Sequence, residues 1–144
     1  MFYRRLQNKE KEMTYYMALD VKQQVLVAIY MEYQKDLPKM KDIVAEKLGI
    51  SREKFFAALD KLDNEGLVHD IKLIRGCNGA ISGIAIIDCA VMSASGLEYI
   101  EKKFDVERTL SSKEKVEKVV NEVAKRNLEH LKDFGDQVLL EIVE

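Results

Sequence analysis

Proline is almost missing from this chain: Pro38 is the only one in 144 residues, beside seven glycines. So few turn-formers exclude a sandwich or barrel of many short strands and predict a mainly helical protein. Cysteine is equally scarce. Cys77 and Cys89 make no CxxC pair, and His69 and His130 lie far apart in sequence. A mixed Cys/His metal site needs ligands at tight local spacing, so no metal is expected and both thiols read as reduced and structural. No apolar run approaches the roughly 20 residues that span a bilayer. Met1-Phe2-Tyr3-Arg4-Arg5 lacks the apolar stretch of a secretion signal, so a cytoplasmic protein that avoids membranes is expected. A surplus of positive charge is missing too. Lys+Arg 23 against Asp+Glu 25 leaves a formal charge of −2, which disfavours coating nucleic acid through bulk charge.

Catalytic signatures are also lacking. There is no GxSxG, GxxxxGK[ST] or HExxH, and no GxGxxG opens a helix after a strand. Gly76, Gly79 and Gly83 bear a loop, but no helix N-terminus follows to receive a phosphate. The chain reads as a non-enzyme without cofactor or catalytic residues. What it does have is core material: 47% hydrophobic residues, enough for one ordinary domain with an appended helix.

Residues 1–19 show no clean periodicity. Arg4, Arg5, Lys9 and Lys11 are interleaved with Tyr3, Tyr15 and Tyr16, a pattern that can contact nucleic acid but more often is an arm folded over the core or a partner, which is the expectation here. Order begins at Asp20, whose carboxylate can cap a helix and which forms a capping-box pattern with Gln23. Val25, Leu26, Ile29, Tyr30 and Tyr33 then recur at the spacing of one helical face, and Lys35-Asp36-Leu37-Pro38 ends the helix. A second helix is predicted from about Lys39 to Leu48, with Met40, Ile43, Val44 and Leu48 inward and Gly49 as a left-handed C-terminal cap. Ser51 caps a third, whose buried stripe is Phe55, Ala58, Leu59 and Leu62 and whose end is Asn64-Glu65-Gly66. Two helices joined by Gly49-Ile50-Ser51 have the turn chemistry of a helix-turn-helix.

Segments 67–74 and 83–90 are rich in β-branched residues and flank the turn signal Asn78-Gly79. An antiparallel pair placed directly after a helix-turn-helix predicts the wing of a winged helix. Ser93 then caps a fourth helix carrying Leu97, Ile100 and Phe104, which closes a winged-helix domain over 20–104. Residues 105–144 form a C-terminal helical extension. Ser111 and Glu114 make a capping box, and Val116, Val119, Val120, Val123, Leu128 and Leu131 repeat at helical spacing. Phe134-Gly135 is expected to break or bend that helix. So long an apolar stripe cannot stay in water: it either folds back on its own domain or pairs with another chain, and the second is expected, with these six residues joining two protomers in a homodimer.

The run Ile43-Val44-Ala45-Glu46-Lys47-Leu48-Gly49-Ile50-Ser51, continued through Leu59–Val68, resembles the winged helix-turn-helix of bacterial and phage regulators. Phe55, the Glu65-Gly66-Leu67 exit and Met92–Ile100 resemble more narrowly the YjcQ-like winged-helix proteins of Gram-positive bacteria and their prophages. The resemblance covers roughly residues 20–104. It implies an α+β fold, mainly helical with a small antiparallel wing. It does not by itself assign a role.

If the chain reads double-stranded DNA, the third helix enters the major groove and exposes Arg52, Glu53, Phe56, Ala57, Asp60 and Lys61. Arg52 can reach guanine edges, Phe56 a thymine methyl, and Lys54 and Lys61 phosphates. Lys39, Lys41 and Lys47, with Lys72 and Arg75 from the wing, add backbone contacts. The charge is divided, however. Residues 39–54 carry five basic groups against three acidic, and residues 55–70 one against four, so the motif sums to −1. The expectation is a homodimeric, DNA-binding transcription regulator. The alternative is a winged-helix module that binds a protein, as adaptor or inhibitor, through an exposed Phe56.

Overall fold

A computed structural model of the chain describes residues 19–75 and 81–142, and the side chains of Arg75 and of residues 81–86 lie outside that description. The expected N-terminal arm, Cys77 and the Asn78-Gly79 turn also fall outside the described residues. In order, the elements are α1 (Val21–Tyr33), a 3₁₀ turn (Met40–Asp42), α2 (Ala45–Leu48), α3 (Arg52–Asn64), β1 (Val68–His69), β2 (Lys72–Arg75), β3 (Ile81–Ile86), β4 (Val91–Met92), α4 (Ala94–Lys103), α5 (Ser112–Lys125) and α6 (Glu129–Glu141). The protein is thus mainly helical with a small antiparallel β component. None of the described helices is long and apolar enough to cross a membrane.

Local chemistry starts the helices. Asp20 and Gln23 cap α1 reciprocally: the Gln23 amide donates to Asp20 Oδ1 at 2.8 Å and the Asp20 amide to Gln23 Oε1 at 2.9 Å. Ser111 and Glu114 repeat the device on α5 at 3.2 and 3.3 Å. The Ser51 hydroxyl accepts from the Lys54 amide on α3, and the Ser93 hydroxyl from the Gly96 amide on α4. Four helices end alike, with a left-handed residue after the last turn and an amide bonded five residues back. That residue is Gly49 (φ 66°) after α2, Gly66 (φ 71°) after α3, Asp105 (φ 54°) after α4 and Asn127 (φ 58°) after α5. The closing bonds are Ile50 N–H to Ala45 O, Leu67 to Leu62, Val106 to Glu101 and Leu128 to Val123.

Three expectations about local structure need correction. The second helix does not run from Lys39 to Leu48. A 3₁₀ turn comes first, Ile43 (φ −84°, ψ 103°) and Val44 (φ −127°, ψ 155°) are extended, and only Ala45–Leu48 is α-helical. The two wing segments are not continuous strands either. Asp70 at φ 63° interrupts the first, and a turn closed by Ala90 N–H to Ile87 O interrupts the second. The hairpin therefore has an outer ladder, Lys72 opposite Ile86, and an inner one, Val68 opposite Met92. Finally, Gly135 does not break its helix. It lies inside α6, and the break falls at Arg126-Asn127-Leu128.

α1 is the hub. It packs on α3, α4, α5 and α6, and every residue from Val25 to Glu32 is buried. A helix buried on all sides needs cover on every face, and the C-terminal pair α5–α6 supplies one of them. Val116, Val119, Val120, Val123 and Leu131 are 0–6% exposed within the single chain, and Leu128 is half-buried. They belong to the same hydrophobic cluster as α1 and α3. The expected dimer stripe is thus consumed inside the protein, because α1 left an apolar face open for it.

Gly135 makes that packing possible. A Cβ there would stand 2.4 Å from Val120 Cγ2 and 2.9 Å from Met31 Sδ. Charges buried at the seams are paired, as burial requires. Glu101 on α4 accepts from the Tyr30 hydroxyl at 3.1 Å and faces Lys115 at 3.2 Å and Arg108 at 3.6 Å. Burial, then the Glu101 charge and hydrogen bond, push the Tyr30 hydroxyl pKa well above its ordinary value. Arg126 donates to Glu122 O at 2.7 Å and meets its carboxylate at 3.2 Å, with the guanidinium 4.9 Å from the centre of the Phe104 ring.

Candidate nucleic-acid interface

The sequence-selected residues centre on α3. Gly49 takes the left-handed conformation that ends α2 and lets the chain turn sharply into Ser51. α3 then buries Phe55, Ala58, Leu59 and Leu62 against α1 and the hairpin. Arg52, Glu53, Lys54, Ala57 and Lys61 are exposed, and Asp60 is half-buried.

Phe56 is the exception to the expected phase. The spacing places it on the exposed face, yet it is only 9% exposed. Its ring centroid lies 5.9 Å from that of Phe55, and the Arg52 guanidinium sits 5.6 Å from it. The physical reason is the β-hairpin. α3 packs on β3, and Phe56 lines a cleft of about 260 Å³ together with Ile43, Val44, Phe55 and Ile87. A face that an isolated helix would turn to water is covered by the chain that follows it.

The basic residues fall into separate groups. Lys41 and Arg52 border the Phe56 cleft. Lys54 and Lys61 border a second, of about 320 Å³, between α3 and the start of α1. Lys72 is exposed on β2, and Arg75 lies on the same strand. Lys39 and Lys47 are exposed but belong elsewhere, on clefts bordered by the C-terminal helices. Lys47 shares its cleft with Asp42 and Asp133, so it is not gathered with α3.

Sequence reasoning missed Lys22, which borders the same cleft as Lys54 and Lys61. No local signal could have placed it there, since α1 and α3 meet only in three dimensions. Lys22 holds Glu65 at 2.9 Å, a hydrogen bond that raises the pKa of its ammonium. It thereby neutralises one carboxylate at the end of α3.

Pairing does not divide the surface cleanly: Lys22 beside α3 is ion-paired, and Lys39, Lys47 and Lys113 near the C-terminal helices make no ion pair among the described residues. Lys115, Lys118, Lys125, Arg126 and Lys132 on the C-terminal side each meet a carboxylate within 3.7 Å. Lys41, Lys54, Lys61 and Lys72 are exposed and make no ion pair among the described residues. Unpaired surface ammonium groups can meet phosphate without first breaking an internal contact. Among the described residues no cluster of His, Cys, Asp and Glu is placed to hold a metal ion, and Cys89 is a free, exposed thiol. Compared with protein-family models, with curated proteins and with solved structures, the chain matches none.

Proposed function

We propose that the protein is a winged-helix DNA-binding regulator of transcription, with α3 as the helix that enters the major groove and the hairpin as its wing. The observation that carries this reading is the composition of the exposed face of α3. With Phe56 turned inward, the exposed residues of α3 are Arg52, Glu53, Lys54, Ala57, Lys61, Asp63 and Asn64, beside a half-buried Asp60, and none is a large apolar side chain. A surface built to dock a protein centres on buried aromatic or aliphatic anchors. A surface built to meet a duplex presents cations and short polar or small side chains, as this one does. The alternative of a protein-binding module draws on an exposed Phe56 and on Glu53 and Asp60 interrupting the positive strip; the ring is buried, while Glu53 is exposed and Asp60 half-buried on this helix.

Arg52 is the base reader in this proposal. Its guanidinium is steadied by the Phe56 ring and projects from the first turn of α3, where recognition helices make base contacts. Lys54 and Lys61 meet phosphates on one side of the groove, and Lys41 and Lys72 meet the backbone flanking it. Four or five phosphate contacts give moderate affinity that falls steeply with salt.

Anisotropy titrations against labelled duplexes selected from a random pool test the reading. Arg52→Ala is expected to cost about 1–3 kcal/mol and to relax preference at one base position. Lys54→Ala is expected to weaken binding to all sequences alike and to reduce the salt slope by about one. Failure of the wild-type protein to bind any duplex in the pool at low salt would refute the proposal.

A further inference from the structure

We propose that Lys22 on α1 is a backbone-phosphate contact of the duplex, occupied by Glu65 in the free protein and exchanged onto phosphate when α3 engages. The inference rests on the duplex-binding reading of α3 and adds to it a residue from another helix and a carboxylate that competes with the DNA.

Three lysines from two helices line one cleft. Lys54 and Lys61 stand seven residues apart on α3, about 10 Å along the helix axis. Ala57 and Ala58 lie between them and leave the floor of the cleft low. Lys22 and Val21 form the facing wall, in the first turn of α1. A strand of backbone that reaches both Lys54 and Lys61 therefore passes Lys22. The position of Lys22 is informative as well. The first turn of α1 carries no acidic residue, although the positive end of a helix attracts anions and repels a lysine. An anion bound at Lys22 is favoured by the helix that carries it.

The two carboxylates near the cleft differ in availability. Asp20 is committed to its own helix, where its Oδ1 accepts from the Gln23 amide at 2.8 Å. Glu65, just past the last turn of α3, receives the Lys22 ammonium on both oxygens at 2.9 Å. That pair lies at the surface, with side chains 27% and 46% exposed. Such a pair is weakly held. A phosphate oxygen offers the ammonium an equivalent charge-assisted bond and also releases a condensed counterion from the duplex, which Glu65 cannot do. The exchange thus favours the duplex at low salt, and Glu65 holds the affinity down.

Anisotropy titrations of the full chain across a salt series, with a duplex selected by the wild type, decide it. Lys22→Gln is expected to make the salt slope shallower by about 0.9, so that the wild type's advantage grows about eightfold for each tenfold fall in salt. Lys22→Arg is expected to keep the wild-type slope. Glu65→Gln is expected to tighten binding about two- to fivefold, the worth of one exposed ion pair, and to tighten it less when Lys22 is already glutamine. Glu65→Gln leaves every lysine in place, so it reads the exchange even if Lys22→Gln loses stability. An unchanged slope for Lys22→Gln overturns the proposal while Arg52 and Lys54 keep their roles. Equal gains from Glu65→Gln in both backgrounds overturn it too, since they would make Glu65 a general repulsive charge. A wild type that binds no duplex defeats the reading of α3 itself, and this proposal with it.

Discussion

Gly135→Ala separates the two fates open to the C-terminal helices. In a solvent-exposed helix this change is favourable by roughly 1 kcal/mol, because alanine loses less backbone entropy than glycine. Here the new methyl would stand 2.4 Å from Val120 Cγ2 and 2.9 Å from Met31 Sδ. The methionine can swing aside at small cost. Val120 cannot, since a β-branched side chain inside a helix has one strongly preferred rotamer. Overpacking of this kind costs about 1–3 kcal/mol, and the stiffness of Val120 puts the cost in the upper part of that range. The expected net result is a destabilisation of about 1–2 kcal/mol, against the helix propensity. Urea titrations at constant slope should show it as a midpoint lower by roughly 0.5–1 M. Val120→Ala removes the clashing methyl, so the double variant should be more stable than the two single losses summed, with a coupling of about 1 kcal/mol or more. A stabilising Gly135→Ala, or strict additivity with Val120→Ala, would refute the packing of α6 on α1 and α5. The valine stripe would then be open to a second protomer after all.

Two further outcomes follow from burial and charge. Phe55→Ala is expected to cost about 3–5 kcal/mol, and Phe56→Ala about 3 kcal/mol, because both rings are buried in contact with each other. Denaturation midpoints check this, and a Phe56→Ala loss within about 0.5 kcal/mol would return that ring to the surface. Hydrogen bonds from Lys35 and then from Gln137 hold the Glu141 carboxyl below its ordinary pKa of 4.5. A carboxyl depressed in the folded state contributes stability above its unfolded pKa and loses it as pH falls through the folded value. Glu141→Gln should therefore lower the melting temperature near about pH 6 and lower it by less in acid, the deficit shrinking as pH falls through the folded pKa. An equal deficit in acid would show that the ion pair is not its source.

The starts of α1, α3, α4 and α5 were determined by the sequence alone, whereas α6 begins after Leu128 without a side-chain cap. Asp20, Ser51, Ser93 and Ser111 cap α1, α3, α4 and α5, because a side-chain oxygen reaching an amide three residues on is a local event. Gly49 and Gly66 were legible as helix ends for the same reason: the left-handed region costs glycine nothing. Asp105 and Asn127 do the same work without glycine, and they were not legible. The residues before them, Phe104 and Arg126, meet ring to guanidinium, a contact made only by the fold. Only the tertiary structure decided that Phe56 is buried along with Phe55, since Phe56 lies about 100° around the helix from Phe55, beyond the edge of its stripe, and a second cover, the hairpin, has to arrive. It alone decided where the valine stripe of α5 goes. Periodicity shows that such a stripe must leave water but says nothing of what covers it. The answer lay in α1, where Val27, Ala28 and Met31 supply a second apolar face beside the one formed by Val25, Leu26, Ile29 and Tyr30. A helix apolar on every side needs a partner on every side, and this chain carries its own.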